Sequence, residues 1–69
     1  MRTRSFKDLG QKIKKLRRKR NLTQVELAVI INVSPSYIGS IEQGIRYPSL
    51  KVLEKLSRAL KIPARELFA

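Results

Sequence analysis

Ten basic side chains crowd the first twenty positions of the chain: Arg2, Arg4, Lys7, Lys12, Lys14, Lys15, Arg17, Arg18, Lys19 and Arg20. Asp8 is the single acid among them, while residues 21–69 hold six basic and four acidic side chains. The net charge is +11. A field of one sign and this strength attracts polyanions: DNA, RNA or an anionic membrane surface. A merely solubilising surface would not need its charge so one-sided.

Other chemistry is poorly supplied. The chain has no cysteine and no histidine. Thiol nucleophiles, disulfides and the usual zinc ligand sets are therefore out of reach. No carboxylate pair sits in a pocket-forming context. These absences argue against an enzyme, a metal site and a bound cofactor. No small-molecule ligand is expected. No apolar run approaches the roughly 20 residues that span a bilayer. A basic start without an apolar stretch behind it is not a secretory signal. The expected setting is the cytoplasm.

Sixty-nine residues suffice for one small domain with an aliphatic core. Residues 1–5 read as a basic N-terminal arm able to reach DNA, and residues 6–69 as the folded domain. Five helices are expected. The first spans residues 6–20, with Phe6, Leu9, Ile13 and Leu16 as an inward stripe and Ser5 with Asp8 as a capping signal. Gly10 lowers its propensity. The second begins at Thr23, where Glu26 completes a capping box and Leu22 and Leu27 have staple spacing. Its buried face is Leu27, Ala28 and Ile31, and Asn32 suits its left-handed end. Residues 25–33 have strand propensity, but the capping box favours a helix.

The third helix is expected over residues 35–43. Ser34 caps it, Pro35 takes the first helical position, Ile38 and Ile41 point inward, and Gly44 closes it. A loop follows. A fourth helix starts after Ser49 with Leu50, Leu53, Leu56 and Leu60 on one side, and Pro63 opens a last short turn containing Leu67 and Phe68. Two helices joined by about three residues in a basic mini-domain have helix-turn-helix geometry. The second of such a pair can present its N-terminal residues to base edges in the major groove.

The string Leu22-Thr23-Gln24, Leu27-Ala28, then Val33-Ser34, Ser36-Tyr37-Ile38, Ile41-Glu42 and Gly44, then Pro48-Ser49-Leu50, Leu53, Leu56 and Ala59-Leu60, resembles the phage-repressor and Cro-like (XRE-type) helix-turn-helix family. The likeness runs from about Leu9 to Phe68. It implies an all-α, lambda-repressor-like five-helix bundle and a transcriptional regulator that binds double-stranded DNA by sequence.

The resemblance also implies roles. Ser36 and Ser40 match base-contacting positions, with Tyr37 and Gly39 flanking them. Serine reads bases less selectively than arginine, asparagine or glutamine. Gly39 leaves room for a thymine methyl, or is only a weak point of the helix. Gln24 and Gln43 match phosphate contacts, and free N–H groups at a helix N-terminus suit an anion. Thr23 and Ser34, at the starts of the paired helices, join that set. Arg46 and Tyr47 fall in a loop that follows the sugar-phosphate backbone in family members. Arg17 and Glu42 match an ion pair between the first and third helices, which would fix the tilt of the reading helix.

Some positions depart from the family pattern. Asn32 stands where glycine is frequent, which the left-handed region tolerates. Pro35 replaces a polar reading residue of some members. Val25, Val29 and Ile30 are aliphatic where polar residues are usual, and are either tolerated surface residues or a small partner patch. Because one such domain covers one half-site, a homodimer on a pseudo-palindromic operator is expected, with residues 62–68 as the dimer surface unless Leu67 and Phe68 cap the core. A non-specific DNA-binding or antitoxin-like module that acts through a protein partner is the alternative reading.

Overall fold

The computed structural model describes residues 5–68, Phe68 by its backbone alone. Residues 1–4 of the expected arm therefore lie outside the described residues. Five helices follow one another: α1 (Phe6–Lys19), α2 (Gln24–Ile31), α3 (Pro35–Glu42), α4 (Leu50–Leu60) and α5 (Arg65–Phe68). There is no strand among the described residues, so the ambiguous run over 25–33 is helical up to Ile31.

One device starts the first four helices. Ser5, Thr23, Ser34 and Ser49 hold extended backbone, and each side-chain oxygen accepts the N–H three residues on. That bond satisfies a donor with no partner inside the helix. At Thr23 the box closes both ways, since Glu26 Oε1 accepts the Thr23 N–H at 2.8 Å. Ser5 thus belongs to the fold rather than to a free arm.

The helix ends use left-handed residues. Asn32 has φ 59° and Gly44 φ 79°, as the sequence suggests, and Asn21 and Lys61 do the same at φ 57° and 58°. Gln43 is the cap of α3 rather than its last residue.

The core is aliphatic and draws on every helix. Leu9, Ile13, Leu27, Ala28, Ile31, Ile38, Ile41, Leu53, Leu56, Leu60 and Leu67 are buried together. Helix α3 packs between α1 and α2, and α2 also packs on α4. Two expected members are absent from this core. Phe6 is 48% exposed and Leu50 is 62% exposed. Each stands in the first turn of its helix, outside the buried cluster, and Phe6 meets the Tyr47 ring instead. Leu67 is fully buried, so it caps the core and is not available to a dimer surface.

Two close contacts fix the packing of α1. Helix α3 approaches it so nearly that a Cβ on Gly10 would lie 2.2 Å from the Ile41 carbonyl oxygen and 2.7 Å from that of Glu42. Glycine there is a packing requirement and outweighs its propensity cost. At the other end Arg20 Nε donates to the Leu60 carbonyl at 3.1 Å, satisfying an orphan acceptor at the C-terminus of α4.

Candidate nucleic-acid interface

Helices α2 and α3 are joined through Asn32, Val33 and Ser34, with the Val33 N–H donating to Ala28 O at 2.9 Å. Ile38 and Ile41 anchor α3 in the core. The opposite side of α3 therefore faces outward by helical period. Ser36 is exposed there and Ser40 half-buried one turn later. The two are coupled, for Ser40 Oγ donates to Ser36 O at 2.9 Å. With its proton so engaged, Ser40 presents lone pairs outward and suits a donor such as an exocyclic amine. Ser34 Oγ accepts the Tyr37 N–H and lies 3.2 Å from Ser36 Oγ. Tyr37 is half-buried against the core.

Gly39 corrects one expectation. It is buried, not on the open face, and its nearest neighbours are the amide atoms of Gln24, 3.7 and 3.9 Å from an added Cβ. The Gln24 amide borders the space it leaves, which would still admit a methyl at ordinary contact distance.

Behind this face a hydrogen-bonded cluster ties three helices together. Arg17 Nε donates to Glu42 Oε2 at 2.7 Å and Nη2 to Oε1 at 3.1 Å. Arg17 Nη1 donates to Leu22 O at 2.7 Å, and Gln24 Nε2 donates to Glu42 Oε1 at 3.0 Å. Arg17 and Glu42 are both buried. The hydrogen bond that Arg17 donates to Glu42 raises the Arg17 pKa above its ordinary value, against the lowering effect of burial. A folded pKa above the unfolded one means that the stability linked to this shift is fully present at neutral pH, where arginine is charged in either state, and is lost as pH rises through the strongly alkaline range. The expected ion pair is thus present, and it orients Gln24 as well as α3. Gln24 keeps one amide proton for an outside acceptor.

The loop after α3 is held by aromatic contacts. The Arg46 guanidinium lies 5.7 Å from the Tyr37 ring centroid. The Tyr47 and Phe6 rings are 5.0 Å apart at 41°. Gly44, at φ 79°, lets the chain pass over Lys7, whose Cα would be 2.8 Å from an added Cβ. Thr23, Ser34, Gln43, Arg46 and Tyr47 are all at the surface. The structure therefore gathers Gln24, Ser36, Ser40 and Tyr37 around α3, with Arg46 beside Tyr37, and leaves Gly39 beneath. Sequence reasoning missed the Arg46–Tyr37 and Phe6–Tyr47 contacts. The aromatic residues were visible, but their partners depend on how the loop folds back.

Among the described residues no group of His, Cys, Asp and Glu could hold a metal ion, and no helix is long and apolar enough to cross a membrane.

Comparison with known proteins gives a consistent picture. Residues 13–67 match the family described as helix-turn-helix. Over 54 residues, 78% of this chain, there is 48% identity to the immunity repressor protein of Bacillus phage phi105. The chain spans 38% of that repressor's length. The restriction-modification controller protein C.AhdI of Aeromonas hydrophila superimposes with a TM-score of 0.86 at 40% identity, covering 91% of this chain and 96% of that one. SinR, a master regulator for biofilm formation solved in complex with DNA, superimposes at 0.81 with 37% identity, covering 86% and 95%.

Proposed function

The chain belongs to the helix-turn-helix family, and from that membership we propose that it is a sequence-specific, double-stranded DNA-binding transcriptional regulator of the repressor or controller type. Its work is binding, not catalysis, in the cytoplasm and on the chromosome. Helix α3 enters the major groove, about 12 Å wide. Ser36 and Ser40 meet base edges, with Tyr37 at their border. Gln24, Gln43, Arg46 and Tyr47 meet phosphates, joined by the backbone amides near Thr23 and Ser34. Phosphate contacts position the domain, and base contacts select the sequence.

The observation that carries this reading is the Arg17–Glu42–Gln24 cluster. It makes the reading helix and a phosphate-binding side chain one rigid unit, so base and phosphate contacts form together. One recognition helix covers one half-site. Two copies on a pseudo-palindrome, with half-sites about 34 Å apart, would place both on one face of the duplex.

Fluorescence anisotropy on a randomised duplex pool, and on duplexes selected from it, tests the proposal. A selected duplex should bind at least ~1,000-fold more tightly than the pool. Ser36→Ala should narrow that gap, while Gln24→Ala weakens both alike. Equal binding to every duplex would overturn the operator reading and leave a non-specific or partner-directed module.

A further inference from the structure

The positive charge is not on the reading unit. Residues 21–50, which contain α2, α3 and the loop after them, carry one basic side chain, Arg46, against Glu26 and Glu42. Seven of the sixteen cations lie on α1, and they are ordered. At 100° per residue Lys7, Gln11, Lys14, Lys15 and Arg18 fall on one side of that helix, opposite Ile13 in the core. All five are exposed. Among the described residues the ion pair is that of Arg17 with Glu42, so none of these cations is neutralised by a carboxylate. Lys14 with Arg18, and Lys15 with Lys19, are like-charge pairs one turn apart, an arrangement that weakens an isolated helix. Alternating charges would keep the face equally soluble without that strain.

The C-terminal part of the row, Lys15 and Arg18, turns away from the contact with α3. Helix α1 meets α3 along its Gly10 and Arg17 edge, and touches the C-terminal end of α3 at Ile41 and Glu42. Ser36 and Ser40 lie on the outward side of α3. Lys15 and Arg18 lie about 80–160° around α1 from that edge, whereas Lys7, at the other end of the row, packs against Gly44 of the loop after α3.

We propose that the outer face of α1 binds the phosphate backbone of a second DNA duplex while α3 holds the first. The row follows a single helix of 14 residues, as suits a rail of phosphates, and it lacks exposed aromatic side chains on which unpaired bases would stack. A dimer would carry two such faces, and the protein would tether an operator to distant DNA without base recognition.

The test immobilises a selected duplex, saturates it with the intact protein, and measures capture of a fluorescent duplex of unrelated sequence. Wild type should capture it, with capture falling steeply as salt rises. Lys15→Glu/Arg18→Glu should cut capture at least ~10-fold and lower its salt slope by about one per cation removed. Affinity for the immobilised duplex should change less than ~3-fold, and the far-UV circular dichroism should be unchanged. Failure to capture with wild type overturns the inference while leaving operator binding, measured separately, intact. Loss of operator affinity in parallel with capture would place the row on the same duplex and overturn it too. Undiminished capture by the double variant would assign bridging to the second recognition helix. Stronger capture of an RNA hairpin than of the duplex would assign the face to RNA.

Discussion

Arg17 and Glu42 meet side-on, two nitrogens to two oxygens at 2.7 and 3.1 Å, although 25 positions separate them. The same carboxylate accepts from Gln24 at 3.0 Å. Glu42 is therefore the point at which the end of α1, the start of α2 and the end of α3 are joined. Its effect is on orientation more than on net stability, because removing two charges from water offsets much of their attraction.

Glu42→Ala should destabilise the domain by about 3–5 kcal/mol, since it strands a buried guanidinium. Replacing both partners, as Arg17→Met with Glu42→Leu, should cost much less. Urea unfolding of the two singles and the double measures the coupling. Additive losses would mean that the pair does not act as a unit.

Gly10→Ala and Gly39→Ala should move stability in opposite directions. Both replace glycine inside a helix, which by propensity gains about 1 kcal/mol. At Gly10 the new methyl would lie 2.2 Å from a backbone oxygen of α3, and overpacking of that kind costs about 1–3 kcal/mol or more. At Gly39 the nearest atom is 3.7 Å away in a side chain, an ordinary contact, so the propensity gain survives. Thermal melts of the two variants decide it, and equal shifts would mean that the α1–α3 approach is looser than described.

What was legible in the sequence was mostly local. The capping box at Thr23 and Glu26, the Ser34–Pro35 start and the left-handed Asn32 each need only neighbours three or four residues away, and all are present. The Arg17–Glu42 pair was legible only by resemblance, because periodicity says nothing about contacts across 25 residues. Phe6 and Leu50 matched the apolar stripes, yet whether a first-turn residue finds a neighbour depends on where the adjacent helix ends. The same holds for Gly10, read as a cost until α3 is seen against it, and for Gly39, covered by Gln24 from another helix.

Leu67→Ala should lower stability by about 2–5 kcal/mol, the range for truncating a buried leucine, since Leu67 is fully buried. Sedimentation of the folded variant should match wild type at equal protein concentration. A loss of self-association with unchanged unfolding would reinstate Leu67 as an interface residue.

Lys61→Gly should stabilise the domain by about 0.5–1 kcal/mol. Lys61 is exposed and caps α4 at φ 58°, ψ 47°, a conformation costly for residues with a Cβ and free for glycine. Part of the gain is offset because glycine has more freedom to lose on folding. A melting temperature below wild type would mean that the Lys61 side chain makes a compensating contact.

Arg46 and Tyr37 should act on DNA as one unit. The guanidinium over the Tyr37 ring is fixed before DNA arrives, so less freedom is lost on binding than for a free arginine. Arg46→Ala should weaken binding to selected and random duplexes alike and lower the salt slope by about one, as expected for one lost phosphate contact. Tyr37→Leu keeps the charge but removes the ring, so it should weaken binding less and leave the salt slope unchanged. In a double-mutant cycle Tyr37→Leu should then cost little once Arg46 has been replaced. Full additivity would separate the two residues, and an Arg46→Ala effect confined to the selected duplex would make Arg46 a reader of bases instead of a phosphate contact.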